Sequence, residues 1–278
     1  MQPFTLNIDG GLVLFNRPAV MAIVNVTPDS FYPESRSFDA DSLESRVRRL
    51  AELRVDMIDI GACSTRPGST PVSVDEEIER LRRGMDVIKR VAPDALVSVD
   101  TFRAQVADVA VRKLGCHIVN DVSGGRLDED MFRTVAALGV PYVLTHSRGN
   151  SADMDKMAVY DDVTAEVVQE LAEKLRQLRL LGVKDVIVDP GFGFAKTVEQ
   201  NFRLIRDLEV FGVLHCPVLV GVSRKRLVSQ TIGTDAAHAL NATTTVHMAC
   251  LERGAAILRV HDVLQAQECI KIYNAIHQ

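Results

Sequence analysis

The sequence predicts a single (β/α)8 barrel, and two observations support this fold class. Eight short apolar runs rich in Val and Ile recur along the 278 residues, and segments with helical periodicity lie between them. Runs that are apolar throughout, rather than alternating, are typical of parallel strands covered on both faces. Eight strand–helix units in about 250 residues match the size of this barrel. A doubly wound sheet is the alternative, but it more often carries a GxGxxG motif after its first strand.

The predicted elements follow one another without a linker rich in Pro, Gly or Ser, which indicates one domain over residues 1–278. Residues 1–19 precede the first strand and are expected to form an extension or hairpin that caps the barrel. Strands are predicted at 20–26, 57–62, 96–101, 117–122, 142–147, 186–191, 218–223 and 256–262. Clear amphipathic helices are predicted at 42–53, 74–91 and 163–182, with Ser73 capping the second and Gly182 ending the third.

Composition excludes several classes of protein. The net charge is −5 and no basic run offers a surface for phosphates, so we expect no nucleic-acid partner. No apolar run approaches the roughly 20 residues that span a bilayer, and the N-terminus lacks the pattern of a secretory signal. The five cysteines form no CxxC pair, which is typical of reduced thiols. A cytoplasmic protein is therefore expected.

The stretch DPGFGFAKT (189–197) looks like the end of a phosphate-binding loop. A Walker A motif requires a glycine directly before its lysine and another five residues earlier. Those positions hold Ala195 and Pro190, so a nucleotide loop is excluded. Lys196 and Thr197 are instead expected at the start of the next helix.

Polar residues end nearly every predicted strand. In a barrel, the carboxyl ends of the strands meet at one mouth, where active sites are built. A polar strand end is ordinary at one position, but eight in register indicate a site. These residues are Asn25, Asp59, Asp100, Asn120, Asp121, His146, Asp189, Ser223, Arg224, Arg259 and His261.

The residue types at the mouth predict its ligands. Buried carboxylates and an amide suit a planar heterocycle with adjacent N–H and NH2 groups, and cations at the rim suit a pyrophosphate. A zinc or two-metal hydrolase site is the alternative, but the chain has neither HxH on a strand nor HExxH on a helix. Asn25 beside Asp29 better suits a Mg²⁺ ion that keeps most of its waters.

Seven motifs, in order and spacing, resemble those of dihydropteroate synthase over nearly the whole chain. They are NVTPDSF (25–31), STRPG (64–68), SVDT (98–101), ND (120–121), DPGFGF (189–194), SRK (223–225) and RVHD (259–262). The resemblance implies a (β/α)8 barrel that condenses 6-hydroxymethyl-7,8-dihydropterin pyrophosphate with p-aminobenzoate. The products would be 7,8-dihydropteroate, for folate synthesis, and pyrophosphate. It also implies an SN1-like path, Mg²⁺ and a homodimer, for which residues 263–276 are a candidate interface.

The resemblance also implies a role for each matching residue. The pterin would be held by Asp100, Asn120, Asp189 and Lys225. The pyrophosphate would be held by Asn25, Arg66, Arg259 and His261, with Asn25 also on the metal. The p-aminobenzoate would lie against Phe31, Thr65, Pro67, Phe194 and Ser223. The catalytic residues would be Asp100, Lys225, Arg259 and His261.

Three positions depart from the family pattern. Cys63 stands where an acidic residue is common, Ser147 where a methionine floors the pterin pocket, and Ala195 where glycine is frequent. His146 is expected either in the site or directly behind it. A methyltransferase-type barrel and a non-catalytic pterin-binding protein are the alternatives. The first would have no use for the pair Arg259 and His261.

Overall fold

Eight parallel strands form the predicted barrel in the computed structural model, which describes residues 2–26, 40–63, 72–149 and 154–277. The strands are β3 (Ala19–Asn25), β4 (Met57–Gly61), β5 (Val97–Asp100), β6 (Ile118–Asp121), β7 (Tyr142–Thr145), β8 (Val186–Asp189), β9 (Leu219–Val220) and β10 (Ile257–Val260). They lie in the order β8-β7-β6-β5-β4-β3-β10-β9. A parallel bridge between Val188 and Val218 joins the first strand of this order to the last. The (β/α)8 fold is confirmed.

Helices follow the strands and cover the outside of the barrel. They are α1 (Ala40–Glu52), α2 (Val74–Val91), α3 (Ala104–Arg112), α4 (Met131–Leu138), α5 (Val163–Leu180), α6 (Val198–Arg206), α7 (Arg226–Thr231), α8 (Leu240–Leu251) and α9 (Val263–Ile276). Two 3-10 helices span Met154–Met157 and Leu208–Leu214. In the described ranges, no helix combines the length and the hydropathy needed to cross a membrane.

The helix ends show how local sequence sets the boundaries. The Ser73 hydroxyl accepts a hydrogen bond from the Glu76 amide at 3.2 Å, so the predicted N-cap of α2 is confirmed. Thr197 caps α6 in a reciprocal pair with Gln200, so the helix begins at Val198, directly after the predicted start at Lys196 and Thr197. The C-cap of α5 is Leu181, and Gly182 lies one residue beyond it with φ +88°. The predicted end of this helix is therefore shifted by about one residue, because glycine supplies the left-handed conformation after the cap.

The amino-terminal half of the barrel interior is apolar. We call its inward side chains the lower layer; they are Met21, Met57, Leu96, Ile118, Val143, Ile187, Leu219 and Ile257. An antiparallel hairpin of β1 (Phe4–Ile8) and β2 (Gly11–Phe15) precedes the barrel. Its buried side chains Leu6 and Phe15 pack into the same cluster as the lower layer. The hairpin thus closes the amino-terminal end of the barrel, so the opposite end is the one that remains for a ligand.

Candidate active site

Mostly polar residues line the barrel interior two residues beyond the lower layer. Since side chains along a strand alternate between faces, each position two residues on also points inward. We call this set the upper layer; it comprises Ile23, Asp59, Ser98, Asn120, Thr145, Asp189, Gly221 and Arg259. Most of these residues are almost completely buried. The predicted strand-end residues Asn120, Asp189 and Arg259 are therefore brought together at one depth of the barrel.

Arg259 bridges two carboxylates across the interior. Its Nε donates to Asp59 Oδ2 at 2.6 Å, and its Nη2 donates to Asp100 Oδ2. The Asn120 side-chain amide also donates to Asp59 Oδ2, at 2.9 Å. Burial raises the pKa of Asp100, and Asp59 adds to this rise while the Arg259 guanidinium opposes it. Asp59 is thus the centre of the array, a role that the sequence prediction missed because it left this residue without an assignment.

Three buried polar atoms of the upper layer have no hydrogen-bond partner among the described residues. They are Asp59 Oδ1, Ser98 Oγ and Thr145 Oγ1. A buried polar atom without a partner costs about 1–3 kcal/mol, so proteins tolerate such atoms mainly at functional sites. Their concentration in one layer indicates an interior built for a ligand with several hydrogen-bonding groups.

Asp189 and Lys225 form a second charged pair at the mouth. A Cβ atom added to Gly221 would lie 3.8 Å from Lys225 Nζ and 3.9 Å from Asp189 Oδ2, so both groups flank the same small space. Burial lowers the pKa of Lys225 to about 8, and Asp189 acts in the opposite direction. Burial likewise raises the pKa of Asp189, against the effect of Lys225. Each group therefore opposes the effect of burial on the pKa of its partner.

The turn after β8 supplies the walls of this space. Lys225 Nζ donates to the Phe192 carbonyl oxygen at 2.6 Å and lies 4.7 Å from the centroid of the Phe194 ring. The Gly191 amide donates to Asp189 Oδ1 at 2.8 Å, which fixes the carboxylate. The predicted aromatic wall at Phe194 therefore stands beside the predicted pterin ligands Asp189 and Lys225.

The rim after β9 and β10 is held by a different set of bonds. The Ser223 hydroxyl accepts from the His261 amide at 3.2 Å and lies 3.2 Å from His261 Nδ1. Arg224 forms an ion pair with Asp262, with Nε–Oδ2 at 2.7 Å. Ser223 and His261 thus contact each other, while Arg224 joins the two loops instead of facing a ligand.

Asn25 ends β3 on the open side of the barrel, where its side chain is exposed. A Cβ atom added to Gly61 would lie 3.6 Å from both Asn25 Oδ1 and Asp100 Oδ2. Glycine at position 61 therefore leaves room between these two side-chain oxygen atoms. Four further predicted residues, Phe31, Thr65, Arg66 and Pro67, lie outside the described residues.

Comparison with known proteins places this site in a family. The model of the pterin binding enzyme family matches residues 21–261. The folate synthesis bifunctional protein of Arabidopsis thaliana is 37% identical over 92% of this chain and 56% of that protein. The chain thus spans about half the length of the bifunctional plant relatives that it matches.

Solved structures match almost the whole chain. The dihydropteroate synthase of Xanthomonas albilineans with 4-aminobenzoic acid has a TM-score of 0.88 and 35% identity, covering 98% of both chains. The dihydropteroate synthase of Thermus thermophilus in complex with 6HMPPP has a TM-score of 0.83 and 35% identity, covering 98% of this chain and all of the other. The similarity therefore extends over complete single-barrel proteins as well as over parts of bifunctional ones.

Proposed function

Because the chain belongs to the pterin-binding enzyme family, we propose that it is a dihydropteroate synthase. It condenses 6-hydroxymethyl-7,8-dihydropterin pyrophosphate with p-aminobenzoate, giving 7,8-dihydropteroate and pyrophosphate in folate synthesis. The observation that carries this proposal is the upper layer, where Asp59, Asn120 and Asp189 stand around the axis within reach of Arg259 and Lys225. A pterin edge with adjacent N–H and NH2 groups pairs with a buried carboxylate by charge-assisted hydrogen bonds.

The pterin binds at this layer and is oriented by it. Asp189 accepts from the ring edge, and Asn120 and Asp100 bind the opposite side. The carboxylate of Asp189 is already held by the Gly191 amide, so little reorganisation accompanies binding. Lys225 lies between Asp189 and the Phe194 ring, where its ammonium donates to the ring system of the substrate. The protein thus contributes mainly by orienting the substrate, and no side chain acts as a nucleophile.

The reaction breaks the bond between the methylene carbon and the pyrophosphate oxygen, and the electron pair leaves with pyrophosphate. The resulting cation is conjugated with the pterin, and the Asp100 carboxylate stabilises it. The amine of p-aminobenzoate then forms the C–N bond and loses a proton. Nη1 of Arg259 has no hydrogen bond to the described residues and is the donor we assign, with His261, to the departing pyrophosphate.

Asn25 is suited to be the single protein ligand of a Mg²⁺ ion. Its amide oxygen is a hard ligand, and the space beside Gly61 separates it from the Asp100 carboxylate. Mg²⁺ typically uses one or two protein oxygens together with phosphate oxygens and waters. When bound, the ion neutralises charge on the pyrophosphate.

Ser223 and Phe194 are the described residues that we assign to p-aminobenzoate. The Phe194 ring is half-buried at the mouth, where it offers an aromatic face next to Lys225. Ser223 is buried and anchored to His261, so its hydroxyl is fixed beside the group assigned to the pyrophosphate. The two substrates would thus meet between the loops after β8 and β9.

We also propose a cytoplasmic homodimer. All five cysteines are free thiols, as expected in a reducing compartment. On α9, Ile272 and Ile276 are exposed and one helical turn apart, which favours this helix as the interface. Sedimentation velocity tests the assembly, since a wild-type dimer that Ile272→Glu converts to a monomer would support it. A wild-type monomer at micromolar concentration would contradict it.

The activity is tested by mixing the protein with dihydropterin pyrophosphate, p-aminobenzoate and Mg²⁺, and measuring pyrophosphate release. We expect release that depends on p-aminobenzoate and is accompanied by dihydropteroate. Binding of the pterin without release above background would instead indicate a non-catalytic pterin-binding protein. Release without p-aminobenzoate at the same rate would indicate hydrolysis.

A further inference from the structure

Lys196 is a buried lysine that the proposed reaction does not use. Only 9% of its surface is exposed, and its three bonded acceptors are all neutral. Its Nζ lies 2.9 Å from His146 Nδ1 and donates to the carbonyl oxygens of Gly191 and Phe194, both at 3.0 Å. Burial lowers the pKa of Lys196 to about 7, and Asp189 opposes this shift. Lys196 thus has only neutral hydrogen-bond partners, in a position that disfavours its charged form.

His146 accepts the hydrogen bond from Lys196 in one defined tautomer. The His146 hydrogen bond and Arg148 lower the pKa of Glu170 to about 2, so its carboxylate accepts from the ring, the ring proton is on Nε2, and Nδ1 accepts from Lys196. Nε2 lies 3.1 Å from Glu170 Oε2, the carboxylate that accepts this proton's hydrogen bond. Burial and Lys196 lower the pKa of His146 to about 4, so the ring is neutral at physiological pH. Lys196, His146 and Glu170 therefore form a continuous chain from the turn after β8 to helix α5.

The turn that Lys196 binds has a left-handed backbone at Gly191, Gly193 and Ala195. Gly191 has φ +73°, and a Cβ atom there would lie 1.8 Å from the His146 carbonyl oxygen. Ala195 has φ +49°, a left-handed conformation that costs a non-glycine residue about 1–2 kcal/mol. Two donors from Lys196 bind the carbonyls of Gly191 and Phe194 across this strained segment. The Lys196 side chain therefore links Gly191 and Phe194, at the two ends of the turn, by hydrogen bonds.

The same turn presents three groups to the site. They are the Asp189 carboxylate, the Phe192 carbonyl oxygen that binds Lys225, and the Phe194 ring. We propose that Lys196, held by His146 and Glu170, is a positioning residue that sets this turn for both substrates; this rests on the proposed function. A role in stability alone does not explain the arrangement, because an apolar side chain of equal length would avoid burying a charge.

The test compares Lys196→Met with Lys184→Met. Lys184 is an exposed lysine just before β8, so it serves as the control for the loss of one lysine charge. We expect Lys196→Met to keep or raise the Tm while kcat/KM for both substrates falls about tenfold or more. Lys184→Met should stay within about twofold of wild type in kcat/KM. His146→Asn, which keeps an acceptor for the ammonium, should lose less than Lys196→Met.

Two results would overturn the proposal. One is a Lys196→Met protein with wild-type kcat/KM, and the other is a variant that no longer folds, because Lys196 would then serve stability. Calorimetric binding of dihydropterin pyrophosphate separates this inference from the proposed activity. If wild-type protein binds the pterin but releases no pyrophosphate, the activity fails. A Kd that Lys196→Met weakens about tenfold still supports positioning, and an unchanged Kd contradicts it.

Discussion

The two ends of the barrel interior differ completely in chemistry although the same strands build both. Ile187 in the lower layer is fully buried among apolar side chains and the hairpin. Asp189, two residues further along β8, is also buried but faces Lys225 and a strained turn. The pairs Met57 and Asp59 on β4, and Ile257 and Arg259 on β10, repeat this change. A step of two residues thus separates groups that stabilise the fold from groups that we assign to substrate binding.

The upper layer lowers the stability of the fold, whereas the lower layer raises it. Burial of the lower layer stabilises the folded state by about 25 cal/mol for each Å² of apolar surface removed from water. The upper layer buries Asp59, Asp189 and Lys225, whose desolvation is unfavourable, and leaves Asp59 Oδ1 without a partner among the described residues. Substitutions in the lower layer should therefore lower stability, and substitutions at the mouth should lower activity.

The largest effect is expected at Lys225. Lys225→Ala removes the ammonium between Asp189 and Phe194 and should reduce kcat/KM about 100- to 1000-fold, or on the order of 3–4 kcal/mol. The Tm should change little, because burial already disfavours this charge. Steady-state pyrophosphate release measures the effect. The control is Lys184→Ala, which removes an exposed lysine at the opposite end of β8 and should match wild type. Near-normal rates for Lys225→Ala would refute the role assigned to Lys225.

Ile187→Ala should have the next largest effect, on stability. Removing this fully buried side chain leaves a cavity in the lower layer and should lower the free energy of unfolding by about 2–5 kcal/mol. Urea denaturation measures this change. The kcat/KM of the folded protein should stay within about twofold of wild type. A loss of kcat/KM as large as that of Lys225→Ala would show that the two layers are not separate in function.

Acid should destabilise the protein through two buried histidines. Burial lowers the pKa of both His146 and His247 to about 4, below the value of about 6.5 in the unfolded chain. Their contribution to stability is therefore complete above pH 6.5 and is lost as the pH falls towards 4. His247 lies on α8, and its Nε2 has no hydrogen bond to the described residues.

His247→Leu separates the two contributions. We expect it to recover about 2–3 kcal/mol of the stability lost between pH 6.5 and 4, as measured by urea denaturation at each pH. His146 would contribute a loss of the same sign, and Asp100, whose pKa burial raises to about 7, would act in the opposite direction over this range. An unchanged pH dependence in His247→Leu would be inconsistent with a neutral, buried His247.

The smallest effect is expected at Ala195. Ala195→Gly relieves the left-handed backbone conformation and should raise stability by about 1 kcal/mol, detected as a small rise in Tm. Because Lys196 holds the turn, kcat should remain close to wild type. A lower Tm would mean that burial of the Ala195 methyl group outweighs its strain.

Most of the fold follows from local patterns in the sequence. Seven of the eight strands lie within about two residues of their predicted bounds at both ends, because continuous apolar runs mark them directly. β9 is the exception: it covers only Leu219–Val220 instead of 218–223. The chain leaves the sheet there in a turn in which Lys225 N donates to Val222 O and Arg224 has φ +54°. This local turn ends the strand, and the Arg224 amide, which donates to Thr243 Oγ1 at 3.1 Å, joins it to α8.

The parts of the site that sequence could not predict depend on distant partners. Asp59 gains its place from Arg259, which is 200 residues away, so no local pattern reveals the pair. His146 was expected in the site or behind it, and its bond to Lys196, 50 residues away, places it behind the turn. Alternation along the strands was the available signal for Asp59, since Met57 marks the inward face two residues earlier.

The most direct test of the division between the two layers is pyrophosphate release by wild-type protein and by Asp189→Asn, measured side by side with both substrates and Mg²⁺. Wild type should release one pyrophosphate for each dihydropteroate formed, and only in the presence of p-aminobenzoate. Asp189→Asn should keep the wild-type Tm and lose about 100-fold in kcat/KM. Equal rates for the two proteins, or no release by wild type, would contradict a pterin-condensing site at the carboxyl ends of the strands.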